Sequence, residues 1–143
     1  MRVYPRMRRG TFRRGAEAIE FALTLPWLLL LMSAIMDFSW FFFTTWCLSA
    51  SLREGARIGS VTTANRDPAS IATREATARG ADFGLVWSSA PTAVVVGDAP
   101  QRRLELSAQV DVAKLIGLVP LPPIASETVV IRLEDQETAL SAN

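Results

Sequence analysis

Two apolar runs dominate the first third of the chain. Phe21 to Met36 gives 16 residues without a charge, and after Asp37 another 15 run from Phe38 to Leu52. One charge in 32 residues predicts a continuous helix of about 48 Å, longer than the ~30 Å hydrocarbon core of a bilayer. Such a helix spans a membrane and then protrudes from it. Pro26 falls inside the first run, where its missing N–H and its ring would kink or break a helix in water; a membrane helix tolerates this better. A simple kink and a special role both stand as readings of Pro26.

Beyond the apolar runs the pattern changes twice. Asp67-Pro68 is a helix start, with Asp as N-cap and Pro at the first helical position, and predicts a helix over 68–82 with Gly80 as its first breaker. Its apolar face of Ile71, Ala72, Ala76, Ala78 and Phe83 is modest and needs a neighbour to pack on. After Gly84 the period becomes that of strands. Ala93-Val94-Val95-Val96 is β-branched, and Leu104 to Val112 alternates apolar and polar positions without error, with Gly97-Asp98-Ala99-Pro100 as the turn between them. Thr128 to Glu134 predicts a third strand with Val129, Ile131 and Leu133 on one face. The whole reads as α+β: a long N-terminal transmembrane helix, a second short helix and a small antiparallel β-sheet of about three strands. The segment Leu115 to Ile124 is too rich in proline for a strand and too apolar for an ordinary loop. It either folds over the sheet or forms a contact patch for another subunit or the membrane surface.

Charge sharpens this picture. Residues 1–15 hold six arginines (Arg2, Arg6, Arg8, Arg9, Arg13, Arg14) and no acid, while the remaining nine basic residues face fourteen acids, a net −5. A basic arm abutting an apolar segment fits the positive-inside rule, with the arm in the cytoplasm, better than it fits nucleic-acid binding. Setting the long helix aside leaves about 90 residues, enough for one small domain. Histidine is absent, Cys47 is the sole cysteine and Lys114 the sole lysine. Zinc clusters, Cys-His nucleophile pairs, Ser-His-Asp triads and internal disulfides are therefore excluded, and no glycine pattern resembles a phosphate-binding loop. No cofactor is expected.

The start of the helix carries the candidate chemistry. Glu17 and Glu20 approach hydrocarbon, where a carboxylate is costly without a partner. A cut after Gly15 would create an α-amine on Ala16, one helical turn from Glu20, and the two would attract within one chain or between neighbours. Intersubunit pairing would make Glu20 a register device for stacked helices. Alternatively, Glu20 rests in the headgroup region, favourably near a helix N-terminus. Downstream, Glu54 and Arg57 are spaced to pair on a helix. Together with Arg53 they form either an assembly surface or the solvated end of the helix.

Arg14-Gly15-Ala16-Glu17-Ala18-Ile19-Glu20-Phe21, followed by Leu- and Pro-rich apolar sequence, resembles the class III signal of TadE-like minor pseudopilins of the tight-adherence (Tad/Flp) pilus system. In that pattern a basic leader ends in Gly, Glu occupies the fifth mature position and an aromatic follows; Gly15, Glu20 and Phe21 fill these places. Asp37-Phe38 resembles the family's acidic-aromatic pair, Leu52 to Arg57 its Arg-Glu-Gly-Ala-Arg segment, and Val129 to Glu134 its last strand. The cysteine pairs often present in such domains are missing.

The resemblance implies a 1–15 basic leader peptide, a 16–58 transmembrane and protruding helix, and a 59–143 extracytoplasmic α+β domain. It implies a non-enzymatic pseudopilin of the bacterial inner membrane, single-pass with its N-terminus cytoplasmic, cut between Gly15 and Ala16 by a prepilin peptidase and acting in pilus assembly and adhesion. Glu20 and Phe21 would serve assembly and register, Asp37 would be the acidic position of the helix, and Arg53, Glu54 and Arg57 an assembly surface. The implied partners are the prepilin peptidase, other pilin and pseudopilin subunits, the inner-membrane pilus assembly machinery and membrane lipid, with no nucleic acid. One alternative is an uncleaved single-span, signal-anchored envelope protein with a periplasmic partner-binding domain. Another is a cleaved secretory signal ending near Ser49-Ala50-Ser51, for which the apolar region is too long.

Overall fold

The computed structural model describes residues 11–62, 66–98 and 101–133. The leader arginines Arg2 to Arg9, part of the Gly97 to Pro100 turn, and the acidic Glu134, Asp135 and Glu137 lie outside the described residues. Two helices, α1 (Thr11–Ser60) and α2 (Pro68–Asp82), precede three strands, β1 (Trp87–Val96), β2 (Arg103–Asp111) and β3 (Ile124–Arg132). The α+β architecture with a long first helix and a three-stranded antiparallel sheet is the one the hydropathy pattern predicts.

Helix α1 runs 50 residues without a break, through Pro26. Its two halves face different surroundings. From Ile19 to Met36 the large apolar side chains are exposed, which suits a helix that is apolar all round and solvated by lipid. From Cys47 onward one side is buried: Leu48, Leu52, Ala56 and Ser60 form one row, and Cys47, Ser51, Gly55 and Gly59 the adjacent row. These two i, i+4 ridges are the surface on which the rest of the chain folds.

Helix α2 lies across that surface. Asp67 caps it, its carboxylate accepting from the amides of Ala69 at 3.1 Å and Ser70 at 3.3 Å, and Pro68 occupies the first turn without leaving an amide unbonded. Ala72, Ala76 and Gly80 are its buried residues, whereas Ala78, expected on the apolar face, is exposed. The crossing is close because both helices are small there: a Cβ added at Gly55 would meet the Ala72 carbonyl at 2.6 Å, and one at Gly59 would meet the Ala72 Cβ at 2.8 Å. Gly80 similarly lies under the Trp87 ring. Gly80, read from sequence as a breaker, is a packing residue instead, and so is Gly59.

The sheet order is β1-β2-β3, each neighbouring pair antiparallel. Leu104, Leu106, Ala108 and Val110 of β2 are buried while Glu105 and Gln109 are exposed, so the central strand sets which face meets the helices. Val95 and Ile131 flank Leu104 across the ladder, and Ala93 and Val129 flank Leu106. Leu48, Leu52 and Ala56 complete this core from α1. Strand β1 is longer than the valine run, reaching back to Trp87 through register shifts on either side of Ser89. Pro91 sits in that irregular stretch of an edge strand, where its missing donor costs least. Strand β3 begins at Ile124, earlier than its sequence pattern suggests. One acid faces inward: Glu127 lies opposite Ala108 and accepts a 2.7 Å hydrogen bond from the Ser49 hydroxyl of α1.

This packing predicts opposite outcomes for two glycines. Gly55→Ala should lower the thermal unfolding midpoint of the detergent-solubilised chain, because overpacking costs about 1–3 kcal/mol, outweighing the ~1 kcal/mol that alanine contributes to a helix. Gly15→Ala, where an added Cβ would meet nothing within 4 Å, should leave the midpoint unchanged or raise it. Leu52→Ala should cost about 2–5 kcal/mol. Circular dichroism melts read all three.

Candidate functional site

The residues singled out from sequence do not converge on one cluster; they are strung along α1 at three levels. At the first level, Gly15, Ala16, Glu17, Glu20 and Phe21 are exposed on a continuous helix. Gly15 has open space around its Cα, so no contact within the described fold requires a glycine there.

Asp37 stands at the second level, 22 residues or about 33 Å along the helix. It is only 3% exposed although its helical neighbours Met36 and Phe38 are exposed. Its carboxylate accepts from the amide of Ile116 at 2.9 Å and from that of Gly117 at 3.1 and 3.4 Å. Successive backbone N–H groups turned onto one anion form a nest, and a charge taken out of water needs such partners. Gly117 makes the turn at φ +77°, a conformation that other residues adopt with difficulty. The 113–123 loop, for which two readings stood, is therefore clamped to α1. None of its residues belongs to the buried core, and Leu115, Ile116 and Leu118 are exposed.

At the third level Arg57 grips Glu54 through two hydrogen bonds, Nε to Oε2 at 2.9 Å and Nη2 to Oε1 at 2.8 Å, as their spacing predicts. Arg53 is exposed on the same turn of helix. The Arg57 guanidinium holds the Glu54 carboxyl below its ordinary value. The pair's contribution is thus complete above the ordinary carboxylate range and is lost as pH falls through that lowered value. An open groove of about 580 Å³ runs beside it between α1 and α2, with Trp46, Ile58 and Phe83 as apolar lining and Glu54, Arg79 and Asp82 as charged lining. Arg79 stands over the Phe83 ring at 5.0 Å and 3.6 Å from Asp82. Among the described residues no group of three His, Cys, Asp or Glu side chains could hold a metal ion. Cys47 is fully buried, and desolvation pushes its thiol above the ordinary value, which leaves it a packing residue.

Residues 15–57 match the family model described as TadE-like protein. Over this segment the chain is similar to TadE-like proteins. The matched segment begins at the glycine with no packing role and ends at the arginine that grips Glu54, so the likeness belongs to α1 and leaves the sheet uncovered. No curated protein and no solved structure matches the chain. Among the described residues one helix is apolar and long enough to cross a bilayer, and it is the helix over which the chain is similar to TadE-like proteins.

Sequence reasoning named Asp37 but missed its partners, which lie 79 and 80 residues away. The available signals were an isolated acid in an apolar helix, which must find donors, and an isolated glycine in an apolar loop, which can supply them. It also missed the crossing glycines, whose i, i+4 spacing with Ala56 between them was visible. The clamp predicts that Asp37→Ala accelerates amide hydrogen exchange across 112–123 while leaving exchange in α2 unchanged, with Asp37→Asn intermediate because one acceptor oxygen remains. Exchange followed by peptide mass spectrometry checks this; unaltered rates in Asp37→Ala would remove the clamp.

Proposed function

We propose that this TadE-like chain is a minor pilin-like component, a pseudopilin, of a tight-adherence pilus and secretion system, cut between Gly15 and Ala16 by a prepilin peptidase and acting in pilus assembly and adhesion. Gly15 is the observation that carries the reading. Glycine costs a helix about 1 kcal/mol relative to alanine, and here no neighbour approaches closely enough to exclude a side chain. A residue unfavourable to its helix and unused by the fold is suited to recognition by another protein, and a protease that cuts after glycine supplies such a role. The exposed position of the Gly15–Ala16 bond, outside the folded domain, agrees with this.

After cleavage the new α-amine of Ala16 lies one turn from Glu20, within reach of it on the same face of the helix or on a neighbour's. Glu20 then sets register between packed apolar helices, with Phe21 beside it, in assemblies with other pilin and pseudopilin subunits and the inner-membrane machinery. The N-terminus lies in the cytoplasm, as the arginine-rich leader favours, and the folded domain lies outside. The protein's role is structural rather than enzymatic. The uncleaved signal-anchor reading draws on a different observation, the unbroken passage of α1 through the Gly15–Ala16 bond from Thr11.

Mass spectrometry of the membrane-extracted chain separates the two. Cells containing the peptidase should yield an N-terminus at Ala16 and peptidase-deficient cells the intact leader; an intact leader in both contradicts the proposal. Glu20→Ala should insert and be cut normally yet abolish pili, and normal piliation in that variant would remove the register role.

A further inference from the structure

We infer that the clamped 113–123 loop is a second membrane contact, seated on the lipid surface where α1 emerges, with Leu115, Ile116 and Leu118 entered at the boundary between headgroups and acyl chains. The inference goes beyond the pseudopilin reading. It needs only the membrane anchor, so it can stand or fall whether or not Gly15 is a cleavage site.

The bilayer's position along α1 is limited from both ends. A hydrocarbon core of ~30 Å takes about 20 helical residues, and 20 residues counted back from Met36 reach Glu17. That span already holds Glu17 and Glu20 in its first turn, at the interface end; moving the helix toward the folded domain would carry both glutamates deeper and draw Arg14 and Arg13 in behind them, which is unfavourable for each charge. Moving it the other way would immerse Asp37 and, because Ile116 and Gly117 are bonded to it, the irregular backbone of the loop as well. Lipid-exposed irregular backbone does not occur within the hydrocarbon region, since its polar groups have no partners there. Asp37 therefore lies at the edge of the hydrocarbon, and the clamp brings the loop to the same level.

The loop's composition suits that level. The amide of Val112 donates to the Pro123 carbonyl at 2.8 Å, closing the neck, and Pro120, Pro122 and Pro123 carry no N–H that would require water. Ile116 and Gly117 spend theirs on Asp37, and Leu121 bonds the Val119 carbonyl at 2.9 Å. Lys114, the sole lysine, is exposed at the start of the loop beside Gly117, where an ammonium on a flexible stem can meet lipid phosphate. Beyond Asp37, exposed Phe38, Trp40 and Phe42 supply the aromatic side chains that favour a membrane interface. The loop is thus continuous with the lipid-facing surface of α1, which identifies lipid as the occupant.

Nitroxide labels test this in the full chain, reconstituted one copy per nanodisc in phosphatidylcholine and phosphatidylglycerol. Leu118→Cys and Val94→Cys are matched, since the native side chains are 61% and 58% exposed, yet Val94 lies on the outer face of the sheet. Cys47 is fully buried and is left in place, with the unsubstituted chain as the labelling control. The expected result is loss of collisional relaxation by an aqueous nickel chelate at 118 with oxygen relaxation retained, against full nickel access at 94. Equal nickel access at both positions overturns the inference. So does nickel exclusion at 118 that develops only in two-copy discs, which would make a second chain the occupant.

Discussion

The carboxylate of Asp37 is the first buried group of a helix whose preceding half is apolar and exposed and whose later half is packed in protein. A buried charge at such a boundary requires donors, and α1 cannot provide them because its own amides are committed to helical hydrogen bonds. The donors come from a loop 79 residues further on. Satisfying one charge therefore also fixes the loop, and through β2 and β3 the end of the sheet nearest that loop, to a set point on α1.

Farther along, the same helix becomes the platform of the domain. Leu48, Leu52 and Ala56 fill the core, and Gly55 and Gly59 let α2 lie close enough for Ala72 and Ala76 to close it. A three-stranded sheet with one short helix has little apolar surface to bury and gains stability from packing on something larger. Here that support is the C-terminal half of α1. The domain and the anchor are consequently parts of one folded body, with the Asp37 clamp at one level and the glycine crossing at another, and a displacement of the helix within the membrane is carried to the sheet.

Local signals were legible in the sequence and distant ones were not. Asp67-Pro68 announced α2 to the residue because a cap and a proline act within one turn, and β2 was evident because strict alternation marks a strand with one buried face. Glu54 and Arg57 paired as their spacing required. The start of β3 was obscured by apolar residues that serve the loop before it and the strand after it, and β1 was shortened in the reading because Pro91 and the irregular register near Ser89 break the pattern. Gly80 looked like a breaker since a glycine's packing role depends on which element crosses it. Asp37 was recognisable as a residue in need of a partner, but no spacing rule connects it to Ile116 and Gly117. Gly15 is the converse case: its prominence came from resemblance to TadE-like proteins, and the fold offers no packing reason for a glycine there.

If anchor and domain form one body, a distance taken from the lipid-facing half of α1 to the sheet should have a single value. Double electron–electron resonance between nitroxides at Trp27→Cys and Val94→Cys, in the full chain in nanodiscs, measures it directly. The account predicts one narrow distance peak. A broad or multiply peaked distribution, showing the domain swinging on the helix, would contradict it.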